Sequence, residues 1–432
     1  MNATLAAHNP EFLRQLWLEF SPARLLGMPA VLALIGAAAG LADPDALPTV
    51  AYAGFVLLVW VYGARSASGA LLDEVAEATW DAQRLSSLTP WQLTWGKLAG
   101  GTLYAWYGGA ICLATWAVST LALGKPLPLT HGVGVVATGI ALQAAALIAA
   151  LVAAGRGVSA RRGGGWWLVL LFAWPFVGGL PFESQRVLHW WGVEIGVSLF
   201  WAASAVMFAA WLVLGAKRLM AAALQVPQRP LAWLGFLAWL AVYGAGFLDQ
   251  GSGAWRVAFA GALVALVAAY AALVVEPPTL ARWRRLAAAA DRGTALARAP
   301  LMAVALGAAL ACASVATLLT ADGPAQRGWG DVGLPLTWAL LALRDLALAC
   351  AVFWGPRPRR AESATVVLLV VLNLVLPWLL SSAGLDTLAA WLQPIGQGGA
   401  GGWLGAGIAA LQAALALVLA RLRWQSAAQG AA

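Results

Sequence analysis

The chain has 432 residues, of which 62% are hydrophobic and only 10% charged, and its formal net charge is +8. Soluble proteins carry about 25% charged residues, so the composition excludes an ordinary soluble domain. The apolar runs are about 20 residues long and do not alternate with polar residues as barrel strands would. We therefore expect an all-α, polytopic integral membrane protein built as a helical bundle.

Residues 1–23 are predicted to hold an amphipathic helix that lies in the membrane interface. Asn9-Pro10 is a typical helix start, and Pro22 would end the helix before the first span. The apolar side comprises Phe12, Leu13, Leu16, Trp17 and Phe20, and the polar side comprises Glu11, Arg14, Gln15 and Glu19.

The apolar runs predict about twelve transmembrane helices. They could form two six-helix halves, 24–215 and 216–432, because the longest loops on the predicted inner side, 67–97 and 276–299, lie six helices apart. Two long loops could equally occur by chance. The predicted spans are 24–42, 48–66, 98–121, 132–154, 164–182, 190–215, 231–248, 255–275, 300–320, 334–354, 364–384 and 403–421.

The basic residues predict the orientation of the chain. With an inner N-terminus, 21 of the 26 Lys and Arg residues fall on the inner side, four on the outer side, and Arg344 within a span. This asymmetry favours N- and C-termini in the cytoplasm. It also accounts for the net positive charge, so no nucleic-acid partner is needed.

The longest polar interruption runs over residues 73–98 and predicts two short helices. Asp73 could cap the first, and Thr89-Pro90 with Gln92 is a capping-box start for the second. On the first helix, one face would be apolar and the other charged. The apolar face comprises Val75, Ala78 or Thr79, Ala82 and Leu85, and the charged face comprises Glu74, Glu77, Asp81 and Arg84.

Arg344-Asp345 lies near the middle of the tenth predicted span, where charges are costly and usually face the bundle interior. The pair could line a substrate path or act as a gate, or it could be an ion pair that locks helices together. Gln143, Asn373 and Gln412 are expected to form hydrogen bonds between helices.

The loop from Arg282 to Arg298 could dock a partner, bind anionic lipid, or simply carry positive-inside charge. The three histidines, His8, His131 and His189, lie too far apart in the predicted topology for a metal site. No phosphate-binding GxxxxGK[ST] loop and no catalytic motif occurs, so we expect a chain that is not an enzyme, with no cofactor of its own.

The sequence resembles the exporter branch of ABC transporter permeases over roughly its first quarter. The resemblance rests on the Asn9-Pro10 start and on an acidic residue, Ala78-Thr79-Trp80-Asp81, Leu residues, Thr89-Pro90 and Gly96-Lys97-Leu98. Ala78 stands where the family usually has Gly. Many such permeases have six spans in each chain, which implies a fused pair or an elaborated second half here.

The resemblance implies that the first loop is a coupling helix, from Glu74 to Leu88, which docks on a separate cytoplasmic ATPase. That subunit would bind ATP and Mg, and the chain would act as a homodimer or as a pseudo-dimer within a bacterial inner membrane. The implied docking residues are Glu74, Glu77, Thr79, Asp81, Arg84, Thr89 and Pro90.

Two other classes remain open from the sequence. An ion-gradient-driven secondary transporter could use Arg344-Asp345, although more intramembrane acids would be expected. A polytopic membrane enzyme acting on a lipid-linked substrate would need a cluster of Asp, Glu or His at one membrane face. The transported substrate is not indicated by any motif.

Overall fold

The computed structural model describes residues 9–156, 187–226, 228–249, 251–321, 333–355, 360–394 and 403–429. The chain divides into two compact units. Unit 1 comprises Met1–Leu188 and Glu194–Gln228, and unit 2 comprises His189–Val193 and Arg229–Ala432. The described residues are almost entirely helical, and ten helices are long and apolar enough to cross a membrane. The protein is therefore a multi-pass, all-α integral membrane protein.

Unit 1 begins with a short helix outside the candidate spans, followed by long apolar helices. A segment with two short helices separates the second and third candidate spans. The helices are α1 Pro10–Glu19, α2 Pro22–Ala42, α3 Pro44–Ala76, α4 Trp80–Arg84, α5 Pro90–Trp95, α6 Leu103–Ala122, α7 Leu129–Gly155 and α8 Val197–Ala223. A small two-stranded sheet, β1 Val187–Trp190 and β2 Val193–Gly196, precedes α8 in the sequence, and its residues His189–Val193 belong to unit 2.

Unit 2 has a similar helix order, with two short helices in the loop after its second helix. These helices are α9 Leu231–Ala245, α10 Gly253–Val275, α11 Leu280–Ala287, α12 Arg292–Arg298, α13 Leu301–Ala321, α14 Leu334–Phe353, α15 Ala361–Ser382, α16 Asp386–Leu392 and α17 Trp403–Gln429.

Ten of the predicted spans coincide with the ten candidate spans. The span predicted at 231–248 is the shorter apolar helix α9, and the one predicted at 164–182 lies outside the described residues. The span predicted from residue 190 begins later, at Val197, because residues 187–196 form the two strands. Hydrophobic run length alone therefore locates these helices, with errors mainly at their ends.

The same pairs of helices pack together within each unit. The helix before the loop packs against the helix after it, α3 against α6 and α10 against α13. The next helix packs against the last helix of its unit, α7 against α8 and α14 against α17. The two units therefore share these helix pairs, although their residues do not visibly match.

Helix caps set where the first loop begins and ends. Asn9 caps α1 by accepting the Phe12 N–H at 3.2 Å, as predicted. Thr89 and Gln92 form the predicted capping box at the start of α5. The expectation that Asp73 caps a helix is wrong, because α3 continues through it to Ala76.

α3 ends in a Schellman motif centred on Ala78. The Thr79 N–H donates to the Glu74 carbonyl at 2.9 Å, and the Ala78 N–H to the Val75 carbonyl at 3.3 Å. This closure places Ala78 at φ +57°, in the left-handed region that favours glycine. It breaks the helix predicted from Glu74 to Leu88, and it occurs at the position where the resembled family usually has glycine.

In the described part of the chain, three π-helical segments interrupt the α-helical geometry. They are Val56–Tyr62 within α3, Gly96–Gly100 after α5, and Val371–Val375 within α15. π segments are rare and are frequent at functional sites. Each of these three contributes an atom to one of the buried polar contacts described below.

We expect Ala78→Gly to raise the stability of the protein by roughly 1 kcal/mol, because glycine adopts the left-handed region without steric cost. The reverse change, Gly124→Ala, provides the matched comparison: Gly124 has φ +67° and open space around its absent Cβ, so only the backbone conformation opposes alanine. It should lower stability by a similar amount. Thermal unfolding in detergent micelles measures both, and a lower melting temperature for Ala78→Gly would contradict the interpretation.

Candidate functional site

A buried charge cluster joins three segments that are far apart in sequence. Lys97, in the π segment Gly96–Gly100, is fully buried, and its Nζ contacts the carboxylate of Glu74 at the end of α3. The same Nζ lies 3.5 Å from Glu11 Oε1 on α1 and donates to the Ala70 carbonyl at 3.1 Å. A buried ammonium requires such partners, because an unpaired charge in this environment is costly.

Arg14 completes the cluster from α1. Its guanidinium donates to both Glu11 oxygens, at 3.0 and 2.9 Å, and also contacts Glu74. Burial raises the pKa of Glu11, but the Arg14 hydrogen bond, the Lys97 charge and the Gln15 hydrogen bond outweigh it, so the pKa lies below its ordinary value. Two carboxylates thus face two cations, and the cluster, here called the charge clamp, is formally neutral.

Glycines allow α1 to approach the chain at the charge clamp. A Cβ on Gly96 would collide with the side chain of Glu11, and one on Gly100 would lie 2.7 Å from the Cβ of Gln15. The spacing is the small-xxx-small pattern of close helix contacts in membranes. The polar side of α1 therefore faces protein, whereas Trp17 is 76% exposed on the other side. An outward apolar side suits a helix in the membrane interface.

Helix α4 is fixed to the rest of unit 1 at three points. Trp80 is buried in the cluster of apolar side chains from α3, α7 and α8, with Lys97 Nζ 5.4 Å from the centroid of its ring. Gln83 donates to Glu74 Oε1 at 2.7 Å. Arg84 Nε donates to the Ala223 carbonyl at the end of α8, at 3.1 Å. The loop is therefore fixed against the rest of unit 1. Its buried anchor, Trp80, was not predicted from the sequence.

The predicted docking residues divide into a buried one and several surface ones. Glu74 is buried in the charge clamp and presents no carboxylate to solvent. Glu77, Asp81 and Arg84 are exposed, and Asp81 pairs with Arg84 at 3.3 Å. Thr79 and Thr89 are exposed at the two helix boundaries, and Pro90 is half-buried.

The predicted apolar and charged faces of the first loop helix need correction at both ends. Leu85 was expected on the apolar face, but it is 89% exposed. Glu74 was expected on the charged face, but it is buried. The cause is the break at Ala78, because a change in backbone direction ends the helical periodicity on which both expectations rested.

A shallow groove lies beside α4, between it and the end of α8. One wall carries the exposed carboxylate of Asp81 and the apolar side chain of Leu85, and the other carries the loop after α8. Gln225 in that loop has φ +58°, in the left-handed region of backbone conformation. Ala78, which precedes α4, is another non-glycine residue in that region. The lining residues are Asp81, Arg84, Leu85, Ala223, Leu224 and Gln225.

The second polar centre lies in unit 2 and is built around Arg344. Nε donates to Asp345 Oδ1 at 2.9 Å, and Nη2 donates to Asn373 Oδ1 at 2.5 Å and lies 2.8 Å from Asp345 Oδ1. Nη1 donates to the Leu392 carbonyl at 3.2 Å and to Gln412 Oε1 at 2.6 Å. Every nitrogen of the guanidinium has a partner.

The acid of the pair is equally well bonded. Asp345 Oδ2 accepts from the Tyr270 hydroxyl and from Asn373 Nδ2, both at 2.8 Å. Gln393 contacts the Asn373 carbonyl, and Gln412 Nε2 donates to the Trp391 carbonyl at 2.6 Å. The network connects α10, α14, α15 and α17 with the segment at the end of α16, which favours the locking interpretation of Arg344-Asp345 over a vacant ion or substrate site.

A smaller neutral contact occurs in unit 1. Gln143 on α7 is buried, accepts from Trp106 Nε1 on α6 and donates to the Val59 carbonyl in the π segment of α3, both at 2.9 Å. Together with Asn373 and Gln412, it forms the hydrogen bonds between helices that the sequence predicted. Among the described residues, no group of three or more His, Cys, Asp or Glu side chains could hold a metal ion.

The pairing of α1 with Lys97 was not predicted from the sequence. The available signal was Gly96-Lys97-Leu98-Ala99-Gly100, in which a lysine follows directly into an apolar run between two glycines spaced for close packing. Tyr270 and Gln393 were also missed, because an isolated polar residue in or beside an apolar run does not reveal its partner.

Comparison of the chain with protein-family models, with curated proteins and with solved structures found no match.

We expect Lys97→Met to destabilise the protein by about 3–5 kcal/mol, because Glu74 and Glu11 would keep their buried charges after losing the cation. Lys125→Met is the matched control, since Lys125 also pairs with a carboxylate, that of Asp45 at 3.0 Å, but is exposed. Exposed pairs contribute little, so the control should stay close to the parent protein. Equal melting temperatures for the two variants in detergent would contradict the charge clamp.

We expect Asp345→Leu to lower stability by about 3–5 kcal/mol by leaving the Arg344 guanidinium buried without its carboxylate. The double variant R344L/D345L should lose less, because it removes both charges at once. Thermal unfolding of the two variants and the parent measures the coupling. A double variant that is less stable than the single one would argue against a structural ion pair.

Proposed function

We propose that this protein is the membrane-spanning permease subunit of an ATP-driven exporter of the ABC type, and that α4 docks on a separate ATPase subunit. The observation that supports the proposal is the construction of α4. This short helix between two spans is attached to the rest of unit 1 through Trp80, Gln83 and Arg84. Glu77, which precedes the helix, and Asp81 within it are exposed.

Such a helix can transmit movement in the manner the proposal requires. A domain that closes on ATP binding can move the membrane helices only through a rigid contact with them. The charge clamp connects α1 and the end of α3 with the chain that follows α5, and α4 lies between these segments in sequence. Force applied at Glu77 or Asp81 would therefore reach α3 and α6 together.

The groove beside α4 offers a contact surface for the partner. It combines an exposed carboxylate, Asp81, with an exposed apolar side chain, Leu85. A partner surface with a basic rim and an apolar centre would complement it. The shared packing order within the two units further supports a fused pair of halves in one chain.

In this proposal the chain lies in a bacterial inner membrane with both termini in the cytoplasm. The supporting observation is the asymmetry of its basic residues, of which 21 lie on one predicted side. ATP and Mg would bind to the partner. Of the other classes, the secondary transporter gains no support from Arg344-Asp345, because that network leaves no guanidinium nitrogen free for a ligand.

The proposal predicts that Asp81→Lys, alone or with Glu77→Lys, reduces retention of the ATPase subunit at least about tenfold, because like charges at an interface cost several kcal/mol. The measurement is affinity purification of the intact complex from its native membrane, followed by quantification of the partner and of ATP hydrolysis.

Asp45→Lys is the matched control for that experiment. Asp45 is an exposed aspartate at the other end of α3, and it pairs with Lys125 as Asp81 pairs with Arg84. It should leave ATPase retention unchanged. Full retention in Asp81→Lys, in a protein that is still inserted in the membrane, would overturn the docking role.

A further inference from the structure

The loop between α10 and α13 carries more positive than negative charge. Residues 276–299 contain five arginines and two acids. Glu276 pairs with Arg282 at 3.1 Å and accepts the Leu301 N–H at 2.7 Å. Asp291 accepts the Thr294 N–H at 2.7 Å. Both acids are thus already engaged in structural contacts.

Three arginines of this loop remain available on its surface. Arg284, Arg285 and Arg298 are exposed. Within the described part of the chain, none of the three has a carboxylate oxygen at ion-pair distance. Arg284 instead donates to the Ala427 carbonyl at 2.9 Å, and Arg298 donates to the Arg285 carbonyl at 3.1 Å. These contacts hold the guanidinium groups of Arg284 and Arg298 in place without cancelling their charge.

Tryptophans place this surface at the boundary between membrane and water. Trp283 on α11 contacts Trp354 at the end of α14, with ring centroids 5.8 Å apart, and Trp354 contacts Trp424 on α17 at 5.3 Å. Such rings concentrate at the membrane interface. The end of α17 adds two further exposed arginines, Arg421 and Arg423, near the carbonyl that Arg284 binds.

The charge of this loop is opposite to that of its counterpart in unit 1. In the helix order, α4 occupies the equivalent place, and there the exposed acids are Glu77 and Asp81. A protein surface that complements those carboxylates would be repelled by Arg284 and Arg285. A second copy of the partner that docks on α4 is therefore a poor match for this loop.

We propose that Arg284, Arg285 and Arg298, together with the arginines at the end of α17, bind the headgroups of anionic phospholipids in the leaflet at which α10 ends. Guanidinium groups bind phosphate oxygens in a fork geometry, and basic residues beside transmembrane helices attract anionic lipid. The tryptophans would lie alongside the acyl-chain boundary, with the arginines at the level of the phosphates.

The test compares the intact protein with R284Q/R285Q in nanodiscs of phosphatidylcholine with or without phosphatidylglycerol. Native mass spectrometry counts the phosphatidylglycerol molecules retained by each protein. The double variant should bind this lipid roughly thirtyfold more weakly, the factor that corresponds to about 1 kcal/mol for each of two basic residues. The preference of the parent protein should also weaken at high ionic strength.

R24Q/K125Q is the matched control, because it also removes two exposed basic residues. It should retain phosphatidylglycerol as the parent does, and all variants should melt alike in phosphatidylcholine alone. Equal retention of phosphatidylglycerol by R284Q/R285Q and the control would overturn the proposal. Loss of a protein partner by R284Q/R285Q with unchanged lipid retention would also overturn it, in favour of a second docking surface. The measurement needs no ATPase, so its outcome is independent of the proposed transport function.

Discussion

A lysine ammonium without access to water is the constraint on which unit 1 depends. Lys97 is stable in its position only while Glu74 and Glu11 are both present, and these acids belong to different segments of the chain. Buried ion pairs add little net stability, but removing one partner is costly. The pairing therefore acts mainly as a condition on assembly, because α1, the end of α3 and the π segment after α5 must come together or leave a charge unpaired.

Unit 2 meets the same constraint with a different cation. Arg344 is planar and carries several donors in a fixed geometry, so one side chain can bond residues from α14, α15, α17 and the end of α16 at once. Lys97 is a more compact charge that the carboxylates must surround. The two units thus share their helix packing, although the polar groups within them differ, as does the sign of charge on their loops.

Much of this architecture follows from local patterns in the sequence. Apolar run length located the spans, and the caps at Asn9 and Thr89 could be identified because each depends on residues within three positions. The burial of Glu74 could not be predicted, since its cation lies 23 residues away and Arg14 lies 60 residues away. Periodicity also failed at Ala78, where hydrogen bonds at the helix end override the residue's own preference.

Each π segment of the described residues holds about one residue more than an α-helical turn. Deleting one residue within Val56–Tyr62 would let that turn relax to α geometry, while the helix beyond it keeps its orientation. Deleting one residue between Gly63 and Asp73 would instead rotate the end of α3 by about 100° and turn Glu74 away from Lys97. Homologous chains that keep the buried charges should therefore keep the residue count between a π segment and the charged residue that follows it, even where side chains at the surface change freely.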